Sequence, residues 1–232
     1  INININQNAV ANGFTYNPTT GVYTYKPQNV KGNWYGNIGL YDTFPLDNKN
    51  NFTLVNAIVY SYNHNVDFTG VTGQTESMLS KVNNHWLEDN LSLNYQKGGL
   101  TCSLVGEMKW RYANSRRENF STIRTLDFNY GMLGSYKFKF GLETGMDLKM
   151  FSRRGYSDPL INANDLICNV YISKSFLKGK LAAKLEGYDI FHQLKSISYE
   201  INGQGRTETR FNAIPNYLML HLIYKMNISG KK

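Results

Sequence analysis

The chain has 232 residues, 41% of them hydrophobic, and a net charge of +8. That is enough for one barrel or sandwich, but its negative mean hydropathy and lack of any long apolar run exclude a membrane-spanning helix. A sequence pI near 9.3 suits a nucleic-acid binder, yet the basic residues are spread over strand faces and loop tips instead of one cluster, so no nucleic-acid partner is expected.

Read in chain order, the sequence alternates apolar and polar residues from end to end, the period of a β-strand with two different faces. The opening "INININ" is the tail of a first strand. It carries no starting Met and no charged segment followed by an apolar one, which suggests a processed protein or a piece of one. Further strands are expected over 33–44, 52–62, 85–95, 100–112, 120–132, 136–150, 166–176, 180–188 and 217–228, ten in all. The stretch "YKFKFGLETGMDLKM", 136–150, is the most disciplined. Tyr136, Phe138, Phe140, Leu142, Met146 and Leu148 fall on one side, and Lys137, Lys139, Glu143, Asp147 and Lys149 on the other. Cys102 and Cys168 fall in the apolar phase of their strands and read as small hydrophobes, not as a disulfide framework.

The connections alternate in length. Short turns rich in Gly, Asn and Asp are expected at "LDNKNN" (46–51), "QKGG" (96–99), "LGS" (133–135) and "LKGK" (177–180). Longer connections cover about 7–31, 64–82, 113–119, 153–165 and 190–216. This is the rhythm of an all-β, antiparallel transmembrane β-barrel, with short turns on the periplasmic side and long loops outside. Aromatic residues gather at both ends of the strands: Trp34, Tyr60, Tyr62, Trp86, Trp110 and Tyr112 on the loop side, and Phe44, Phe52, Tyr95, Phe128, Tyr130, Tyr136 and Phe176 on the turn side. Such belts mark membrane–water boundaries. A soluble β-sandwich or ligand-binding barrel is the competing reading. No interdomain linker interrupts residues 1–232, which read as one unit.

The segment "GYDIFHQLKSISYEINGQGRTETRFNAIPNYLMLHLIYKMN", 187–227, and the upstream "LVNAIVYSYNHNVDF", 54–68, resemble the TonB-dependent receptor-type outer-membrane β-barrel family of Bacteroidetes. The resemblance rests on a "DIF" ending the penultimate strand, a polar loop with "GRTET" and an alternating final strand. It implies a barrel of about 22 strands, an N-terminal plug domain and energising contact with TonB. The chain departs from that pattern, with no plug, no recognisable TonB-contact segment, ten strands and a "SGKK" end. The expectation is therefore the C-terminal part of a larger barrel, reaching TonB only through a missing N-terminal region.

Catalysis finds no support in the sequence. His64, His85, His192 and His221 have no metal-ligand spacing, no G-x-S-x-G elbow occurs, and Gly203 and Gly205 read as turn glycines. No enzyme, cofactor or metal is expected. The polar phase would line a lumen: Glu107, Lys109, Arg111, Asp127, Lys137, Lys139, Glu143, Asp147, Lys149, Lys184, Glu186 and Lys225. These residues could form cross-strand charge pairs or a hydrated path for a solute. A set of loop arginines, Arg116, Arg117, Arg153, Arg154, Arg206 and Arg210, is a candidate outer-rim anion site, since guanidinium forks match phosphate, whether of outer-leaflet lipopolysaccharide or of an anionic ligand; a solvated loop face is the alternative. The expected function is outer-membrane transport of a solute whose identity the loops determine. A structural or adhesion barrel is the alternative.

Overall fold

The computed structural model describes residues 1–70, 74–117, 120–157, 159–194, 197–201, 206–210, 214 and 216–226, without the side chains of 197–201, Arg206 and Arg210. Gly203, Gly205 and the end of the last expected strand, 227–228, lie outside these residues. The chain is built from antiparallel strands. Ten of them form one sheet, in the order β1 (Asn2–Asn6), β4 (Asn33–Pro45), β5 (Phe52–Thr69), β6 (Met78–Lys97), β7 (Leu100–Ser115), β8 (Ile123–Lys137), β9 (Leu142–Arg154), β10 (Asn164–Phe176), β11 (Leu181–Tyr188) and β14 (Tyr217–Tyr224). Apart from the two inserted hairpins, each strand pairs with its sequence neighbour. Among the described residues the sheet is open: β1 pairs only with β4, and β14 only with β11.

All ten expected strands are members of this sheet. Two of the long connections hold further strands that alternation did not reveal: β2 (Ala9–Asn17) pairs with β3 (Val22–Val30), and β12 (Ile197–Ile201) with β13 (Arg206–Arg210). β5 and β6 run on to 18 and 20 residues, so the connection between them shrinks to 70–77. At about 60 Å, β5 is far longer than an average strand. Its protruding end is covered by the β2–β3 hairpin, where Ala11 and Val30 pack on Val66, with Ala9 and Phe68 alongside.

One turn sits elsewhere than expected. "LGS" lies inside β8, and the chain reverses at Phe138–Gly141, where the Phe138 amide donates to the Leu142 carbonyl at 2.8 Å. Gly141, at φ 81°, takes the left-handed conformation that the reversal demands, whereas Gly134 is not in that region. A four-residue turn keeps the parity of the alternation. The run 136–150 therefore reads as one strand although it spans two.

Register sorts the side chains into two faces. One carries Leu54, Leu93, Leu104, Met132, Leu148 and Cys168 along a single cross-strand row. The opposite face carries most of the charges. Leu40, Leu104, Ile172, Leu220 and Leu222 stay exposed, and hydrophobic burial is confined to small clusters. The accessible surface is 15725 Å², against about 10,700 Å² for a close-packed monomer of 26.6 kDa. No second layer covers the apolar face among the described residues. None of them forms a helix long and apolar enough to cross a membrane, which says nothing about strands.

The aromatic rings follow the expected belts with three corrections. Trp34 meets Tyr62 at 4.5 Å, Tyr60 shares a 2.8 Å hydrogen bond with His85, and Trp110 stacks with Tyr112, all on the loop-side part of the apolar face. Phe52 and Tyr95 meet at 4.5 Å on the turn side. Trp86, however, pairs with Arg111 and faces the polar side. Phe128 and Tyr130 pair with Met108 and Gly106, at mid-height between the belts. A turn expected at 133–135 puts Phe128 and Tyr130 at a strand end, whereas β8 runs on to Lys137; Trp86 falls on the polar face by its parity in β6.

Candidate functional site

The polar face concentrates the titratable groups. Its most ordered feature is a row of alternating charge across four strands: Glu88 on β6 pairs with Lys109 on β7, Lys109 with Asp127 on β8, and Asp127 with Arg153 on β9. Arg153 closes the row by donating to the Asp165 carboxylate at 2.8 Å. Opposite charges placed cross-strand each contribute roughly 0.2–1 kcal/mol. One row nearer the turns, Asn129 donates to Glu107 at 2.8 Å. A groove of about 210 Å³ runs beside Glu107, Lys109, Asp127, Asn129 and Arg153.

A second constellation lies closer to the turns. Tyr171 donates to Glu143 at 2.7 Å, and the Lys184 ammonium stands 4.6 Å from the centre of the Tyr171 ring. Lys184 also pairs with Glu186 at 2.5 Å, and the other Glu186 oxygen lies 2.8 Å from His221 Nε2. Lys149 and Asp147 pair at 3.3 Å within β9. A larger groove of about 340 Å³ is bounded by Thr101, Ser103, Asp147, Asn169, Tyr171 and Lys184. Hydroxyl, carboxylate and ammonium groups share one solvated wall here. Among the described residues no His, Cys, Asp and Glu gather as a metal site would require.

The candidates from sequence fall out as follows. Glu107, Lys109, Arg111, Lys137, Glu143, Asp147, Lys149, Lys184 and Glu186 share the charged face by register, with Asp127 among them. Lys139 does not belong to a strand. It sits in the Phe138–Gly141 turn, because the reversal falls four residues later than the Gly134–Ser135 pair suggested. Lys225 lies just past β14, its amide donating to the Lys180 carbonyl at 2.8 Å.

The arginines occupy different environments. Arg153 and Arg154 end β9 instead of lying in a loop, and point to opposite faces. Arg154 donates to the carbonyl of Arg153 at 2.7 Å and to Asn164 at 2.8 Å. Arg117 donates to Thr69 at 2.7 Å and stands 5.3 Å from the Phe120 ring centre. Arg116 is exposed. Arg206 and Arg210 end β13, their side chains outside the described residues.

Two groups of residues escaped the sequence reading. Glu88 and Asp165 belong to the charge row, yet only the register reveals their partners. On the apolar face, Asp42 pairs with Asn56, and Asn56 donates to Asp89 at 2.7 Å, a polar spot amid leucines. Its signal was visible as breaks in the alternation of three successive strands, each of which looks like noise when read singly. Compared with protein-family models, with curated proteins and with solved structures, the chain matches none.

Proposed function

We propose that the chain forms part of a bacterial outer-membrane β-barrel of TonB-dependent-receptor type, which binds a solute with its long connections and passes it along a polar wall. The observation that carries this reading is the inversion of the usual soluble sheet. The face rich in Leu, Met and aromatic rings is left uncovered, while the other face bears the ordered charges and the grooves. Water makes that arrangement costly, at about 25 cal/mol for each Å² of apolar surface left exposed. Hydrocarbon removes the cost.

Three further features support it. On β5 the apolar face from Phe52 to Tyr62 spans 11 residues, matching a tilted membrane strand of about 9–11. Above Tyr62, protein takes over as cover, through the β2–β3 hairpin on Val66. Turns and long connections stay on opposite ends of the sheet throughout. On the lipid side the Asp42–Asn56–Asp89 spot is a polar exception at mid-strand, and the amide-to-carboxylate bond reduces the cost of those groups; Arg124, Arg154 and Lys174 share that face only near the strand ends. Lipid and lipopolysaccharide would be the partners of the apolar face and the rim, and TonB a partner only through residues outside this chain.

The charge row favours a second reading, a structural or adhesion barrel whose wall is braced by ion pairs and passes nothing. Swelling of liposomes carrying the complete barrel of which this chain is part, freed of any plug, in polar solutes of graded size, separates the two. Size-dependent swelling is expected for a transport path. Insertion without swelling would leave only the structural barrel, and failure to enter bilayers would remove both.

A further inference from the structure

In the connection between β9 and β10 the described residues, 155–157 and 159–163, fold in over the polar face. Gly155, at φ 82°, turns the chain immediately after the strand, and a Cβ there would collide with the Arg124 carbonyl oxygen. Tyr156 and Asn162 then clasp each other. The Asn162 carboxamide accepts from the Tyr156 amide at 2.9 Å and donates to the Tyr156 carbonyl at 2.9 Å. Between the ends of the clasp Ile161 is buried at 1% exposure. The base of the connection is pinned as well, since the Arg153–Asp165 ion pair joins the last turn of β9 to the first of β10.

What this loop reaches is the charge row. The Tyr156 hydroxyl lies 2.8 Å from each carboxylate oxygen of Asp127, and the ring is only 5% exposed. The preceding long connection folds inward too, with Phe120 packing on Val82, Ala113 and Ile123. Beneath this cover, on the polar face, Thr125 is 2% and Asn84 1% exposed, and their side-chain polar atoms find no partner among the described residues. Groups of that kind belong in a hydrated passage, not in a dry core.

We infer that the β9–β10 connection is a strap that narrows the loop-side mouth of the polar face, held shut by the Tyr156 hydroxyl on Asp127, and that it sets the upper size of what passes. The inference rests on the proposed transport function, because only a solute path gives a constriction a purpose. The strap is tied to Asp127, which also lines the groove beside Glu107, Lys109 and Arg153, so it stands at the loop-side end of that groove. Hydrogen bonds to a charged carboxylate are stronger than neutral ones, so this hydroxyl is a substantial tie between the strap and the wall, beside the clasp and the packing of Ile161.

Thiol labelling tests it. In the full chain with Cys102→Ala and Cys168→Ala, a cysteine at Thr125 reports the shielded mouth and one at exposed Thr101 the open wall. With Tyr156 present, a water-soluble maleimide is expected to react at Thr125→Cys far more slowly than at Thr101→Cys. Tyr156→Phe, which removes only the hydroxyl, should raise the Thr125→Cys rate about tenfold, and Asp127→Asn should raise it in the same direction. Both changes should also admit larger solutes in liposome swelling. Equal rates at the two cysteines with the latch intact, or no effect of Tyr156→Phe, would overturn the strap. Faster labelling without any change in the size limit would overturn its role as a constriction. A third cysteine, at Leu148, keeps the underlying reading separate: rapid reaction there would remove the membrane barrel whatever the strap does.

Discussion

At the scale of single residues, the turn between β4 and β5 shows how one carboxylate organises a reversal. Asp47 accepts from the Phe52 amide at 2.8 Å and from the Asn51 carboxamide at 2.7 Å, and the Phe52 bond, foremost, holds its pKa below the usual carboxylate value. A depressed folded-state pKa gives stability that is present above the unfolded value and lost as pH falls through the folded one. Acid titration of thermal unfolding should therefore show a loss below about pH 4 that is absent in Asp47→Asn; identical profiles would contradict the clasp. Arg153 and Asp165 present a different case, with side chains only 18% and 4% exposed. Arg153→Ala removes the guanidinium from beside a buried carboxylate and should cost about 3 kcal/mol in denaturant unfolding, while replacing both residues by apolar ones should cost less. A double variant as unstable as the single one would show that the pair acts otherwise. The ion pair was not legible in the sequence, because Asp165 falls just before the strand expected at 166–176 and only the β9–β10 register brings it to Arg153.

At the scale of the strand, alternation carries most of the information. A charge introduced on the apolar face should disrupt folding into a bilayer by about 2–4 kcal/mol near mid-depth. The same charge one residue away should be tolerated. Leu104→Arg and Val105→Arg make that comparison on β7, and equal effects on folding yield in lipid vesicles would contradict the two-faced reading. This dependence on parity is why all ten strands of the sheet could be found without knowing a single contact. It is also why the turn at 138–141 was misplaced: an even-numbered reversal leaves the period unbroken, and only the φ of Gly141 distinguishes it. The hairpins β2–β3 and β12–β13 were missed for a related reason. β3 carries Pro27 and is exposed along nearly its whole length, so it has no buried stripe to impose a period. Tyr156 gave no signal, since a loop side chain acquires its partner from the fold.

At the scale of the molecule, the charged face was legible as a set of residues and not as a mechanism. Glu107, Lys109, Arg111 and Asp127 could be assigned to one side from parity, but the row from Glu88 to Arg153 exists only once the strands are laid in order. The open sheet leaves the outer edges of β1 and β14 without ladder partners among the described residues. In hydrocarbon such edges are not tolerated, so the account requires that they pair with further strands or with each other. It depends most of all on which medium each face meets. The direct measurement uses cysteines on adjacent residues of β9, Asp147 and Leu148, in the cysteine-free chain reconstituted into vesicles. A fluorophore at Leu148 should be quenched by a lipid-borne quencher and shielded from an aqueous one, and a fluorophore at Asp147 should show the reverse. If both positions respond equally to the aqueous quencher, or if Leu148 proves to be the wetter of the two, the membrane account is wrong.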